Sequence, residues 1–323
     1  MPINVARYEH HGRIGWGVVR DDQIVPVEGE FPTTQAFLVE NPVSALGSHT
    51  GDSLPLDALR VLSPVTRNQQ FVCQGANYRQ HMIESGVDPD AKHFNMIFTK
   101  AQSCIVAADS PVIVPRGIRF LDYEIELGLV LSRAISERIR VTAETLPDYV
   151  AGLVVVNDYS ARDVQIPQMQ FYKGKSYRTF GPVGPWLCLL EPEDFAQLDR
   201  LQLTLCVDDE VRQSDSTANL VYGPAETLSE LSGIQDFAPG DLIATGTPAG
   251  CALSIPSPRK QKLASLLPEA KKWRLFLKAQ EARCEYLRPG QTVTSHIRSE
   301  DGRIDLGTQR NLVVSESEGV GDA

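Results

Sequence analysis

Between Leu121 and Leu131 the chain sets two glutamates two residues apart, Leu121-Asp-Tyr-Glu-Ile-Glu-Leu127, in an apolar stretch with Ile125, Leu127, Leu129, Val130 and Leu131. A strand sends alternate side chains to opposite faces, so this spacing predicts Glu124 and Glu126 leaving one face while the aliphatic side chains pack under the other. Their Cα atoms are then roughly 6 to 7 Å apart. A second apolar run, Val150-Ala-Gly-Leu-Val-Val-Val-Asn157, ends in a third carboxylate, Asp158. Carboxylates held this close drive one of their number to protonate unless a cation joins them. All-oxygen ligation points to a hard divalent cation, Mg²⁺ or Mn²⁺ ahead of Ca²⁺, and away from zinc. The plainer reading is a half-exposed strand with acidic residues on its wet face, as a one-sided antiparallel sheet commonly shows.

A chain of 323 residues has room for one large domain and a small one. Its net charge of −10 disfavours nucleic acid or an anionic membrane as the main partner. An anionic substrate needs local help from a cation or from basic side chains. The six cysteines are scattered without a C-x-x-C pair and read as reduced core residues. Neither a signal-peptide pattern nor a run of 18 apolar residues is found, so a cytoplasmic protein is expected.

Residues 3 to about 28 alternate like paired strands, with turns at His10-His-Gly12 and Arg20-Asp-Asp22, and predict a small β-rich N-terminal domain over 1–66. The catalytic domain is placed at 67–315 and a disordered acidic tail at 316–323. Within the catalytic domain short strands are expected at 111–114, 123–132, 150–157, 201–208, 241–244, 292–298 and 310–314. Asp301-Gly302 marks a two-residue hairpin turn. Helices are few, near 78–85, 143–148 and 225–232. The expected class is α+β and strand-rich, since strict strand–helix alternation is missing. A segment at 256–288 carries eight basic residues from Arg259 to Arg283, and from Pro268 onward it reads as an amphipathic helix. That helix is either a solvated surface element or a lid or subunit contact.

His81 and Glu84 lie three apart on one expected helical turn and can hydrogen-bond, which suits a general base near neutral pH or, equally, an ordinary surface pair. Arg162, Gln165 and Lys175 follow Asp158 closely, and Lys175 opens a segment dense in Gly and Pro that reads as a fixed loop. Thr245-Gly-Thr-Pro-Ala-Gly250 is a strand-ending turn or a substrate-binding loop.

Together these segments resemble the fumarylacetoacetate hydrolase family. The matching elements are Gly75-x-Asn-Tyr-x-x-His81-x-x-Glu84, Asp122-Tyr-Glu124-x-Glu126-Leu, Asn157-Asp158-x-Ser-Ala-Arg162-Asp-x-Gln165, Lys175-Ser-x-x-Thr-Phe-x-Pro-x-Gly-Pro-Trp186 and Gly240-Asp-x-Ile-x-Thr-Gly-Thr-Pro-Ala-Gly250. The resemblance implies a fold of layered mixed β-sheet and a homodimer. It implies Mg²⁺ or Mn²⁺ held by Glu124, Glu126 and Asp158, and a water-activating dyad of His81 and Glu84 on a mobile lid. Arg162, Gln165 and Lys175 are then substrate contacts, with Tyr78 and Thr247 in the same set and Lys175 also stabilising an enolate.

Three departures stand out. Gln74 occupies the position, seven residues before the histidine, where animal members carry a fourth acidic ligand, so the chain is similar to the shorter bacterial and acylpyruvate hydrolase branch. Tyr159 replaces the usual Val, and the 256–288 segment is longer than in most members. The implied substrate is a small 2-oxo acid, and the expected reaction is cation-dependent hydrolysis of a C–C bond in a 2,4-dioxo acid of acylpyruvate or fumarylpyruvate type. Decarboxylation, isomerisation, hydration or oxaloacetate tautomerisation through the same enolate are the alternatives, followed by an inactive binding subunit.

Overall fold

The computed structural model describes residues 1–256 and 266–316. Eleven strands form one long sheet, and the order along it is 54–55, 23–27, 13–20, 3–10, 187–189, 150–157, 125–131, 242–244, 71–75 and 96–99, with 60–62 also paired to 3–10. The N-terminal hairpins therefore continue the sheet of the following region: Ile3, Asn4 and Val5 pair antiparallel with Leu189, Cys188 and Leu187. A five-stranded sheet runs in the order 210–216, 201–207, 292–299, 305–315 and 112–114. Most pairings are antiparallel, but 242–244 runs parallel to 71–75 and 305–315 parallel to 112–114, so the sheets are mixed. This is the strand-rich, layered α+β architecture expected.

The period of two explains how the layers stack. Ile125, Leu127, Leu129 and Leu131, with Leu153 and Val155 from the neighbouring strand, enter a core shared with Leu203, Leu205, Val293 and Ile297 of the five-stranded sheet. The intervening Val130, Val154 and Val156 enter a second core with Val5, Trp16, Phe37 and Phe71. Both faces of the central strands are thus covered, and their sequences read as continuous apolar runs. The picture of a half-exposed acidic strand is corrected on this point, for every residue from Ile125 to Leu131 is buried. Each large aliphatic side chain so buried contributes about 1.5–3 kcal/mol.

The helices are short. Arg79–Glu84 and Pro224–Leu231 lie where expected, a 3₁₀ turn at Leu146–Asp148 takes the third place, and Glu269–Glu281 follows Pro268. Lys175 corrects an expectation: it closes the helix Phe171–Lys175, which follows Arg162–Gln168, rather than sitting in a loop. The Asp301-Gly302 hairpin joins 292–299 to 305–315, but its loop is longer than two residues. Ser299 caps it, accepting from the Ile304 N–H at 3.0 Å and donating to Asp301 at 2.6 Å. All six cysteines are free thiols. Among the described residues no helix is long and apolar enough to cross a membrane. The basic residues Arg259, Lys260 and Lys262, and the tail from 317 onward, lie outside the described residues.

Candidate active site

Antiparallel pairing brings the carboxylates together. Ile125 sits opposite Asn157, so Glu124 and Asp158 flank each other at one end of the strand pair. The Asp158 N–H donates to the Glu124 carbonyl at 2.8 Å, and the Asn157 side chain accepts from the Glu124 N–H at 3.0 Å. Ligand oxygens of Glu124, Glu126 and Asp158 all lie within 4.8 Å of one another, and all three residues are buried.

Three cations face this cluster. Lys175 Nζ donates to Glu124 Oε2 and to Asp158 Oδ2, bridging the two. Arg162 donates from Nη2 to Glu124 Oε1, from Nε to Asp122 Oδ2 at 2.8 Å and from Nη1 to Gln165 Oε1 at 2.7 Å. Lys100 reaches Asp158 Oδ1 and the Phe180 carbonyl, the latter at 2.8 Å. Burial alone disfavours every one of these charges. For Glu124 it is outweighed by Arg162 and Lys175, which hold the carboxyl well below the usual carboxylate range. For Glu126 the balance reverses: burial first, then Asp158 and Glu124, outweigh Lys175 and push its pKa well above the ordinary value. Among the described residues its Oε2 accepts the backbone N–H of Gly246, at 3.0 Å. Gly246 can offer that N–H because it adopts φ +89°, where a Cβ would meet Asn77 Cβ at 2.8 Å.

A buried acid whose pKa is pushed up by two neighbouring carboxylates, in a pocket of oxygen ligands, marks a site short of positive charge. The donor set therefore fits a divalent hard cation, which would let Glu126 ionise. Gln74, in place of a fourth acid, is buried on the cavity wall and donates to Asn95 at 3.0 Å and Thr227 at 2.9 Å.

Above this floor lies a cavity of about 200 Å³ whose wall includes His81, Gln165, Lys175, Thr247, Phe98, Phe171, Leu253 and Ile255. Here the expected hydrogen bond between His81 and Glu84 is corrected. Glu84 is exposed and accepts from Gln80 at 3.3 Å, while His81 Nδ1 is buried without a hydrogen-bond partner. Helical geometry explains the difference, since Gln80 lies one full turn before Glu84 and competes for it. Burial lowers the His81 pKa, so the imidazole is neutral at pH 7. Tyr78 is a second correction: it is wholly buried in the larger core, its hydroxyl unpartnered, and it is not on the cavity wall. Thr247 does face the cavity, its Oγ1 held by Gln213 Nε2 at 2.9 Å.

Lys100 and the structural role of Asp122 were not anticipated. Asp122 accepts from Arg162 and from the N–H groups of Ala252 at 2.7 Å and Leu253 at 3.0 Å, tying the strap that lines the cavity to the floor. The helix Glu269–Glu281 pins the same strap from outside, through Gln280 Nε2 to the Ser254 carbonyl at 3.0 Å. Arg283, just beyond it, donates to the Ala252 carbonyl at 2.6 Å. The described part of the 256–288 segment thus supports the cavity wall rather than standing free.

Residues 70–314 match the family model for the fumarylacetoacetate (FAA) hydrolase C-terminal domain, and residues 5–64 match an Rv2993c-like N-terminal domain. Protein Rv2993c of Mycobacterium tuberculosis is 36% identical over 218 residues, covering 67% of this chain and 78% of that protein. Oxaloacetate tautomerase YisK of Bacillus subtilis is 32% identical over 206 residues, covering 63% of this chain and 67% of that protein. The solved structure of fumarylacetoacetate hydrolase from Exiguobacterium antarcticum superposes with a TM-score of 0.74 at 26% identity, over 97% of this chain and all of the other. With a family match spanning most of its length and a fold of the same kind, the chain belongs to the fumarylacetoacetate hydrolase family.

Proposed function

We propose that this protein is a divalent-cation-dependent enzyme that moves the C3 proton of a short 2-oxo acid, interconverting its keto and enol forms. The observation that carries this reading is His81, with an unpartnered ring nitrogen among the described residues, on the wall of a small cavity floored by carboxylates, Lys175 and Arg162. Glu124, Glu126 and Asp158 would hold Mg²⁺ or Mn²⁺, which when bound supplies Lewis-acid polarisation of the 2-oxo group. His81 accepts the C3 proton as a general base of suitable basicity. Negative charge then develops on the C2 oxygen, and Lys175, with two of its three N–H donors committed to carboxylates, has one left to stabilise it. The imidazolium returns the proton to that oxygen, giving the enol. Arg162 and Gln165, locked to each other, orient the substrate carboxylate, and Phe98, Phe171, Leu253 and Ile255 keep bulk water away. The similarity to an oxaloacetate tautomerase supports this reading.

A second reading, hydrolytic cleavage of an acylpyruvate, is favoured by the placement of His81 and Glu84 on one helical turn. It requires Glu84 to leave Gln80 and turn to His81 so that the imidazole activates water. Proton NMR in D₂O on oxaloacetate and a panel of acylpyruvates, with Mg²⁺ or with a chelator, separates the two. Cation-dependent loss of the C3 proton signal without fragments is the expected result. Appearance of pyruvate with a matching carboxylic acid establishes hydrolysis, and no change in any substrate refutes both.

A further inference from the structure

The carboxylate triad uses only one side of Glu124. Its Oε2 faces Lys175, whereas Oε1 faces Arg162 and the thiol of Cys251, whose Sγ is 3.9 Å away. On that second side His81, Glu124 and Cys251 bring one ligand atom each within 4.8 Å of one another. Independently, His81 Nδ1 is buried with no hydrogen-bond partner among the described residues, so this ring nitrogen is uncommitted within the protein. Cys251 is held there by the turn at Gly250, which adopts φ +103° and packs so tightly that a Cβ would meet the Arg212 carbonyl at 2.1 Å.

We propose that His81, Glu124 and Cys251 form a second, softer cation site, sharing Glu124 with the oxygen site, and that Zn²⁺ binds there and takes His81 out of proton transfer. One nitrogen, one sulfur and one oxygen suit zinc, which accepts three protein ligands with water in the fourth position. Mg²⁺ has no affinity for such a set, because thiolate and imidazole are too soft for it. Since no ligand pair is more than 4.8 Å apart, and Cys251 Sγ and Glu124 Oε1 are already at 3.9 Å, reaching the edge of a zinc tetrahedron, about 3.3–3.8 Å, requires a contraction of at most about 1.5 Å. A divalent ion that ligates the sulfur displaces the thiol proton. Zinc and magnesium therefore compete for Glu124 without sharing their other ligands. The ligand set stands on geometry alone, and only the inhibitory consequence rests on the proposed role of His81.

Co²⁺ reports on sulfur ligation directly. Metal-free full-length protein titrated with Co²⁺ is expected to develop the intense near-ultraviolet thiolate-to-cobalt charge-transfer band, saturating at one equivalent. The band should survive in C284S, which removes the exposed thiol, and vanish in C251S, while C251S still binds Mn²⁺ at the carboxylates by electron paramagnetic resonance. No band in the wild type, or a band that persists in C251S, overturns the proposal. Should C251S fail to fold, the wild type decides: Zn²⁺ must slow alkylation of Cys251 by iodoacetamide, followed by peptide mass spectrometry, and an unchanged rate overturns it. These readouts need no turnover, so they remain decisive if the enzymatic reading fails.

Discussion

At the floor of the cavity Asp122, Glu124, Glu126, Asp158, Lys100, Arg162 and Lys175 are all buried, and each has a hydrogen-bond partner within the protein. At its rim His81 lacks a partner, Glu84 points to solvent, and Leu253 and Ile255 ride on a strap tied down through its backbone. The floor is anchored on an antiparallel strand pair whose register leaves little freedom, while the rim comes from a six-residue helix and a loop. On the function proposed above, stabilisation of enolate charge falls to the first region and the choice of reaction to the second.

The largest effect expected is on the floor. Asp158→Ala leaves Lys100 and Lys175 without their shared partner inside the protein, which should cost about 3–5 kcal/mol in denaturant unfolding and abolish cation binding. A variant as stable as the wild type would mean that the network is not rigid. At the rim, His81→Ala should lower turnover by about 10²–10⁴-fold and leave Mn²⁺ binding intact. Weaker Mn²⁺ binding in that variant would merge the two regions into one.

The pH profile sharpens the contrast. Burial lowers the His81 pKa, so the neutral, proton-accepting form is favoured over that of an ordinary histidine. Activity should hold as pH falls through 6.5 and decline only at lower pH, and an acidic limb above 6.5 would assign the base elsewhere. Glu84→Gln discriminates the two reactions: a change of about twofold or less fits proton exchange, whereas a loss well over tenfold fits a water-activating dyad. The smallest effect belongs to the outer support. Gln280→Ala removes hydrogen bonds to Ser254 and Tyr286, each contributing about 1 kcal/mol, and should raise KM a few-fold with kcat little changed.

How far the sequence alone could reach follows the same division. The strands at 125–131 and 150–157 were legible because apolar runs bounded by acids and turns have few other uses, and the position of Asp158 at a strand end pointed to the cluster. That both faces are covered was not legible, since a continuous apolar run does not reveal what packs on it. Lys100 was hidden because a lysine just past the strand Met96–Thr99 carries no sign of the carboxylate it meets 58 residues later. The two helices carrying Arg162, Gln165 and Lys175 were masked by Pro167 and Gly174, residues that ordinarily argue for a loop. Spacing placed His81 and Glu84 on one turn, but it could not tell that Gln80 would take the carboxylate.

Mn²⁺ binding by electron paramagnetic resonance, in the wild type and in Glu126→Gln, tests the cation floor most directly. One Mn²⁺ per chain is expected in the wild type, with affinity sharply reduced when Glu126 loses its carboxylate. Failure of the wild type to bind Mn²⁺, or equal binding in both proteins, would contradict it.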